Sequence, residues 1–316
     1  MTLLSICQAA CSVAPIGIPA FIVGNADETA MLLLSLATQA AETLSRRPQN
    51  GWVSMIREYT FSSVAIAAQP GTIANVGGVA VISGLSGIDA ITANLWQANG
   101  TGLPNNAIVA SKTPTTVTLN VPSTVTGSGT YTFGQSDYPL PSDYASIVDG
   151  TIWDRTRYWQ MRGPQSPQAW QMYKSSVIGR ASIQRRFRMR SARNDVGNIN
   201  VTYFCIDPVP YDNGASFVFE YASTAWCQSG HGVPQTQWLR DTDTGILDEY
   251  LLQLAVTYRL LRRLGLSYSE ELSEYEQLAS QAVAADGGMP VLNIAGGIPS
   301  QFISPYLNVP ESGFGT

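Results

Sequence analysis

The sequence predicts an α+β fold: a helical bundle built from N-terminal and C-terminal helical hairpins, a small antiparallel β-region, an inserted all-β domain and an extended C-terminal arm. Three observations predict it. Long helical periodicity is confined to the two ends, over about 2–47 and 242–285. Between Glu58 and Asp137 the only charged residues are Asp89 and Lys112, and short Val/Ile/Thr runs alternate there with Gly-rich turns. Beyond Asp286 the chain is rich in Gly, Pro and Ser yet keeps Ile298, Phe302, Ile303, Tyr306, Leu307 and Phe314, which a solvated tail would avoid. The expected boundaries are a core over 1–68 and 135–286, an insertion over 69–134 and an arm over 287–316.

The elements follow in order. Thr2 caps a first helix running to about Val13, which Pro15, Gly17 and Pro19 break. Asp27 begins a second, with Glu28 in its first turn and Arg46 and Arg47 at its end, the charge placement that the helix dipole favours. These two helices are expected to pair antiparallel. From Trp52 to Val64, Val53, Met55, Tyr59 and Phe61 recur with the alternation of a half-buried strand. In the insertion, Val79–Ile82, Ala107–Val109 and Thr116–Leu119 read as strands and the Gly-Gly and Asn-Gly-Thr-Gly segments as turns; a long disordered linker is the alternative. Ile147 to Met161 reads as an aromatic-rich hairpin, and Ser166-Pro167 as a helix start with proline at its first position. Ile183–Met189, Ile199–Cys205 and Phe217–Tyr221 are expected as strands of one small antiparallel sheet. Thr242-Asp243-Thr244 is the expected start of a helix carrying Ile246, Leu247, Tyr250, Leu251, Leu254 and Tyr258, ended by Gly265; another follows over Ser269–Ala285.

Composition bounds the function. Charged residues are 13% of the 316, roughly half the usual share, so much of the surface is neutral and an oligomer is favoured over a free monomer. A formal charge of −5 argues against grip on nucleic acid by bulk positive charge. The opening segment lacks the basic start of a signal peptide, and Ala30–Ala41 is too short to span a bilayer, so no membrane partner is expected. Cys7, Cys11, Cys205 and Cys227 lack metal-site or redox spacing and read as core residues. The single histidine, His231, sits in a Gly-rich loop without a second histidine or a nucleophile elbow, so neither a triad nor a His-paired metal site is expected. No cofactor is expected. Asp143, Asp149, Asp154, Glu58 and Glu220 are the carboxylates from which a glycosidase pair would have to come, and spacing selects none.

One distribution is uneven. From Arg155 to Arg193 there are ten Lys or Arg and no acidic residue: among them Arg155, Arg157, Arg180, Arg185, Arg186, Arg188, Arg190 and Arg193. Arg186, Arg188 and Arg190 alternate with Phe187 and Met189, so one strand face is cationic and the other apolar. Such a face suits an interface with acidic residues such as Glu270–Glu276 of a neighbouring subunit, or the lining of a channel through which DNA passes. Trp153, Tyr158, Trp159 and Trp170 cluster with these cations as interface anchors or core. A carbohydrate-binding module is a rival for the insertion, which offers only Trp96, Tyr131 and Phe133 as stacking rings.

Read in order, Leu140-Pro141-Ser142-Asp143-Tyr144, Gly150-Thr151-Ile152-Trp153-Asp154, Gly163-Pro164-Gln165-Ser166-Pro167-Gln168-Ala169-Trp170, Tyr221-Ala222-Ser223 and Asp241-Thr242-Asp243 resemble the head-to-tail adaptors of short-tailed phages over about 1–66 and 135–286. The resemblance implies a virion structural protein, made in the host cytoplasm and carried at the portal vertex. It implies a ring, dodecameric in such proteins, between portal protein and tail nozzle, completing the channel through which DNA passes in transit. It also implies that the apolar C-terminal arm binds the portal. The insertion departs from compact relatives and is where a tail fibre or spike would make contact. Some relatives are credited with peptidoglycan hydrolysis, which makes a tail-associated cell-wall hydrolase the alternative to a purely structural, non-enzymatic role.

Overall fold

The computed structural model describes residues 1–48, 51–104, 106–175, 184–193 and 200–286. In chain order it holds α1 (Leu3–Val13), α2 (Glu28–Ser45), β1 (Ile56–Ser62), β2 (Ala65–Val76), β3 (Val79–Ser83), β4 (Trp96–Gly100), β5 (Ala107–Lys112), β6 (Thr116–Leu119) and β7 (Gly127–Gln135). There follow β8 (Asp137–Pro139), β9 (Tyr144–Ile147), β10 (Trp153–Asp154), β11 (Trp159–Gln160), α3 (Pro167–Ser175), β12 (Arg186–Arg193), β13 (Asn200–Asp207), β14 (Ser216–Ser223), α4 (Glu249–Leu264) and α5 (Ser269–Ala285). Strand content is 33% against 28% helix, which overturns the expected helical bundle with a small β-region. The excess β-structure comes from segments whose sequence reads as breaks. In β2, Gln69-Pro70-Gly71 looks like a turn, but a bulge between Ile66 and Gln69 lets proline stay in register opposite Thr130. β8, β10 and β11 are two or three residues long, too short for any periodicity to show.

The chain forms two compact units. The first comprises Met1–Glu58, Ser142–Val148 and the described chain from Glu220 onward. Its core is helical: Leu3, Ile6 and Cys7 of α1, Leu33, Ala37 and Leu44 of α2, and Ala255, Val256 and Leu260 of α4 are all buried. Thr2 caps α1 by accepting from the Ser5 amide at 3.4 Å, and Asp27 stands at the N-cap of α2. The expected α1–α2 pair is not the organising contact. Both helices pack chiefly on α4, which is buried on most of its circumference.

The start of α4 also differs from expectation. Asp248, not the Thr242–Thr244 segment, is its N-cap and accepts the Leu251 amide at 2.9 Å. Asp243 is fully buried and turns back to accept the Leu239 and Arg240 amides, while Thr244–Gly245 pairs as a strand with Cys227–Gln228. A carboxylate can satisfy preceding amides as readily as helical ones, so residue type alone did not choose between the two aspartates. At the other end Gly265, at φ +71°, closes α4 in a left-handed cap with Leu266 N–H donating to Leu261 O.

The second unit comprises Tyr59–Pro141 and Asp149–Phe219 among the described residues. Six strands close a barrel in the order β2-β3-β6-β5-β4-β7, and β7 returns to β2. Its interior is filled by Ile73, Ile82, Trp96, Val117, Tyr131 and Phe133, so it is a packed core and not a pore. β12, β13 and β8 form a separate three-stranded antiparallel sheet, and β14 pairs with β10 instead of joining them. The single sheet expected from the three strand-like runs is thus divided. An aromatic cluster occupies this part of the unit: Phe204 stacks on Phe187 at 5.0 Å and on Phe219 at 5.4 Å, with Phe61 edge-on at 5.6 Å.

Candidate functional site

Register builds the site. In β12, Arg186, Arg188 and Arg190 lie opposite Asp207, Cys205 and Tyr203 of β13, and Cys205 lies opposite Asp137 of β8, so these side chains share one face of the sheet. The opposite face carries Phe187, Phe204 and Ile206, all fully buried. The cationic and apolar faces read from the alternation are therefore present.

The cations are largely engaged inside the unit. Arg185 is 4% exposed, pairs with Asp154 at 3.1 Å and lies over the Phe217 ring. Arg186 is buried, lies over the Tyr173 ring at 3.8 Å and pairs with Asp207, which also holds Lys174 at 2.7 Å. Arg190 pairs with Asp137. Arg157 makes an exposed pair with Asp212, and Arg155 is exposed. Arg188 is half-buried, and no carboxylate pairs with it among the described residues. Arg193 ends β12. Arg180 lies outside the described residues, as do Ile298, Phe302, Ile303, Tyr306, Leu307 and Phe314.

Beside the cationic face is a polar cavity of about 520 Å³. One wall is the outside of the barrel. Trp96 and Ala98 point into the barrel core, so Gln97 between them points out into the cavity, as does Ile108 between Ala107 and Val109. A second wall is α3, which starts at Pro167 with Ser166 Oγ accepting the Ala169 amide and presents Trp170, Gln171 and Lys174. Asn106 joins these walls by donating to Lys174 O at 2.7 Å. The third wall is the sheet face with Asp137, Arg188 and Arg190.

Electrostatics follow burial. Desolvation pushes the Asp137 carboxyl above the usual carboxylate range, against the opposing pull of Arg190. The Cys205 thiol is pushed up to about 12, first by burial and then by Asp137. Cys7 and Cys227 are likewise pushed up to about 12 by burial, which keeps these thiols protonated and unreactive at neutral pH. All four cysteines are buried and free.

A raised Asp137 pKa means that folding takes up a proton, so its contribution to stability is full in acid and is lost as pH rises through the folded value. Asp137→Asn should therefore gain on the wild type as pH rises above the ordinary carboxylate range and through the raised Asp137 value, read as the difference in denaturant midpoints. The opposite trend would mean that the Arg190 pairing outweighs burial.

No protein-family model and no curated protein matches the chain.

The other residues singled out from sequence do not converge on this cavity. Asp143 accepts from Tyr221 Oη at 3.0 Å and Ser223 Oγ at 2.6 Å, while Asp154 accepts the Thr156 and Arg157 amides. Asp149 is exposed in a turn, and His231 is exposed in a turn closed by Ser229. No group of three metal-ligating side chains occurs among the described residues. Gln97 is the residue that sequence reasoning missed. Its only signal was a polar residue between two core positions of a strand.

Proposed function

We propose that the chain is a structural, non-catalytic subunit of a phage virion, forming a ring between portal and tail nozzle and completing the DNA exit channel. What supports this reading most is the work done by the motif residues: they serve as joints of the chain's own fold. Asp143 of the Leu140–Tyr144 motif takes hydrogen bonds from Tyr221 and Ser223 of another, Tyr144 stacks on Tyr221 at 6.0 Å, and β9 pairs with β14. Asp241 accepts the Ile22 and Val23 amides, and its carbonyl accepts the Leu4 amide, which ties the start of α1 to the Asp241–Asp243 motif. Gln165 N–H donates to Phe187 O. Residues used this way specify a shape that partners recognise, rather than a cleft where bonds are made.

The surface is in keeping with assembly. Val13, Ile18, Phe21 and Met31, at and around the α1–α2 connection, are each about half exposed or more, and exposed apolar side chains grouped in one short segment favour a protein partner. In this reading the arm from 287 onward binds the portal, and the barrel is available to a tail fibre or spike. A tethered arm adds its contact at high effective concentration once the ring is seated.

Native mass spectrometry of purified chain mixed with purified portal rings tests this. Addition of the full chain in a ring-sized multiple, and failure of a truncation ending at Asp286 to add, is the expected result. If neither species binds, the adaptor reading is abandoned; clearing of peptidoglycan by the purified chain in a zymogram would favour the hydrolase instead.

A further inference from the structure

The helical unit carries a groove of about 620 Å³ between α2 and α4. From α2 it takes Leu32, Leu36 and Gln39, which recur along one side of the helix, and from α4 it takes Arg259, Arg262 and Arg263. Leu36 is buried and Leu32 half-buried, while Gln39, Arg262 and Arg263 are exposed, so the bottom is apolar and the rim polar. The charge is one-sided. Among the described residues no carboxylate pairs with any of the three arginines. Arg259 instead donates to Ala255 O at 2.9 Å and lies over the Tyr258 ring. The one acidic residue of the lining, Glu42, stands 4.0 Å from Arg46. The dipole of α4 favours cations in its last turn, but it does not require them to border an apolar groove.

An occupant that matches this lining is apolar and carries a carboxylate. A small anion would meet the guanidiniums and leave the leucines uncovered. The acidic helix α5 of a second copy offers Glu270 and Glu271, but Leu272 and Leu278 pack on its own core and are not available. The chain itself supplies the match: segment 302–314 holds Phe302, Ile303, Tyr306, Leu307 and Phe314, and Glu311 is the only charged side chain beyond Asp286. It is also within reach. The Asp286 carboxylate accepts the Val53 amide at 2.8 Å, and the neighbouring Trp52 indole N–H donates to Leu44 O, so the chain leaves α5 beside the C-terminal end of α2. From there the groove extends back along α2 for about 20 Å, whereas the roughly 15 residues from 287 to 301 span up to about 50 Å. A tether of that length gives an effective concentration on the order of millimolar, which favours the same chain over a second copy. We propose that the α2–α4 groove takes segment 302–314 of its own chain, with Glu311 paired to Arg262 and Arg263. The inference concerns the free subunit and does not depend on the adaptor reading.

The test is photo-cross-linking of the full chain, without portal, from benzoylphenylalanine placed in turn at Tyr306 and at Phe314. Digestion and mass spectrometry should map the cross-links to 32–43 of α2 and 258–263 of α4. Mixing isotope-labelled with unlabelled chain before irradiation should show that they form within one chain. Arg262→Glu/Arg263→Glu should lower the yield roughly fivefold, and so should Glu311→Arg, which leaves the folded unit untouched. Combining the three changes should restore most of it. Cross-links from both positions that map elsewhere, or none from either, overturn the proposal. So do cross-links only between labelled and unlabelled chains, which would make the groove an interface between copies, and so does a yield that Glu311→Arg leaves unchanged.

Discussion

Phe204→Ala should destabilise the protein by about 3–5 kcal/mol, a large part of the stability of an ordinary domain. Phe204 is fully buried, with its ring nearly parallel to Phe187 at 5° and to Phe219 at 8°, and with Phe61 edge-on. Truncation removes the burial and leaves a cavity that three rigid rings cannot readily close, and it also removes the ring-pair contacts, each worth about 0.5–1.5 kcal/mol. The measurement is a denaturant midpoint with an unchanged slope, supported by loss of near-ultraviolet dichroism. Phe204→Leu should lose much less. A midpoint for the alanine variant within error of wild type would show that the cluster is not a packed core.

Arg185→Met should cost a similar amount, about 3–5 kcal/mol, for a different reason. The side chains of Arg185 and Asp154 are 4% and 2% exposed, and Asp154 is held at the start of the β10–β11 turn by the Thr156 and Arg157 amides. Burial lowers the Arg185 pKa while Asp154 opposes that shift, which is the balance of a desolvated ion pair. Removing the guanidinium leaves a buried carboxylate that has lost its paired cation and keeps only the two amide hydrogen bonds. The double variant Arg185→Met/Asp154→Asn keeps an oxygen for the two amides and removes the charge, so it should be more stable than the single variant. Equal losses in the two would place the cost in lost packing over Phe217 instead of in the orphaned charge.

Several long-range features could not be read along the chain. The alternation Arg186-Phe187-Arg188-Met189-Arg190 marks a strand with a cationic face, but sequence order does not say that Asp207 and Asp137 arrive beside it through β13 and β8. The arginine-rich run reads as surface charge awaiting a partner, whereas Arg185 and Arg186 are buried against carboxylates up to a few tens of residues away. The cavity depends on the outside of a closed barrel, and closure is a property of six strands together, not of any one of them. The polar outward positions of β4 to β6 look locally like solvent-facing ones.

What the sequence determined by itself is local. Thr2, Ser166 and Gly265 set helix ends, because a cap is a hydrogen bond or a backbone angle within a few residues, and Asp27 takes the N-cap position of α2 without a side-chain capping bond. The nearly uncharged stretch after Glu58 marked where β-structure gathers, because strands buried in a barrel cannot carry unpaired charge. Only the tertiary structure decided that α1 and α2 meet on α4, that Asp248 caps α4 while Asp243 is buried, and that β12 and β14 lie in different sheets. Each of these is a choice between partners that are equivalent in local chemistry and distant in sequence. It is settled by which arrangement buries the most apolar surface without orphaning a polar group.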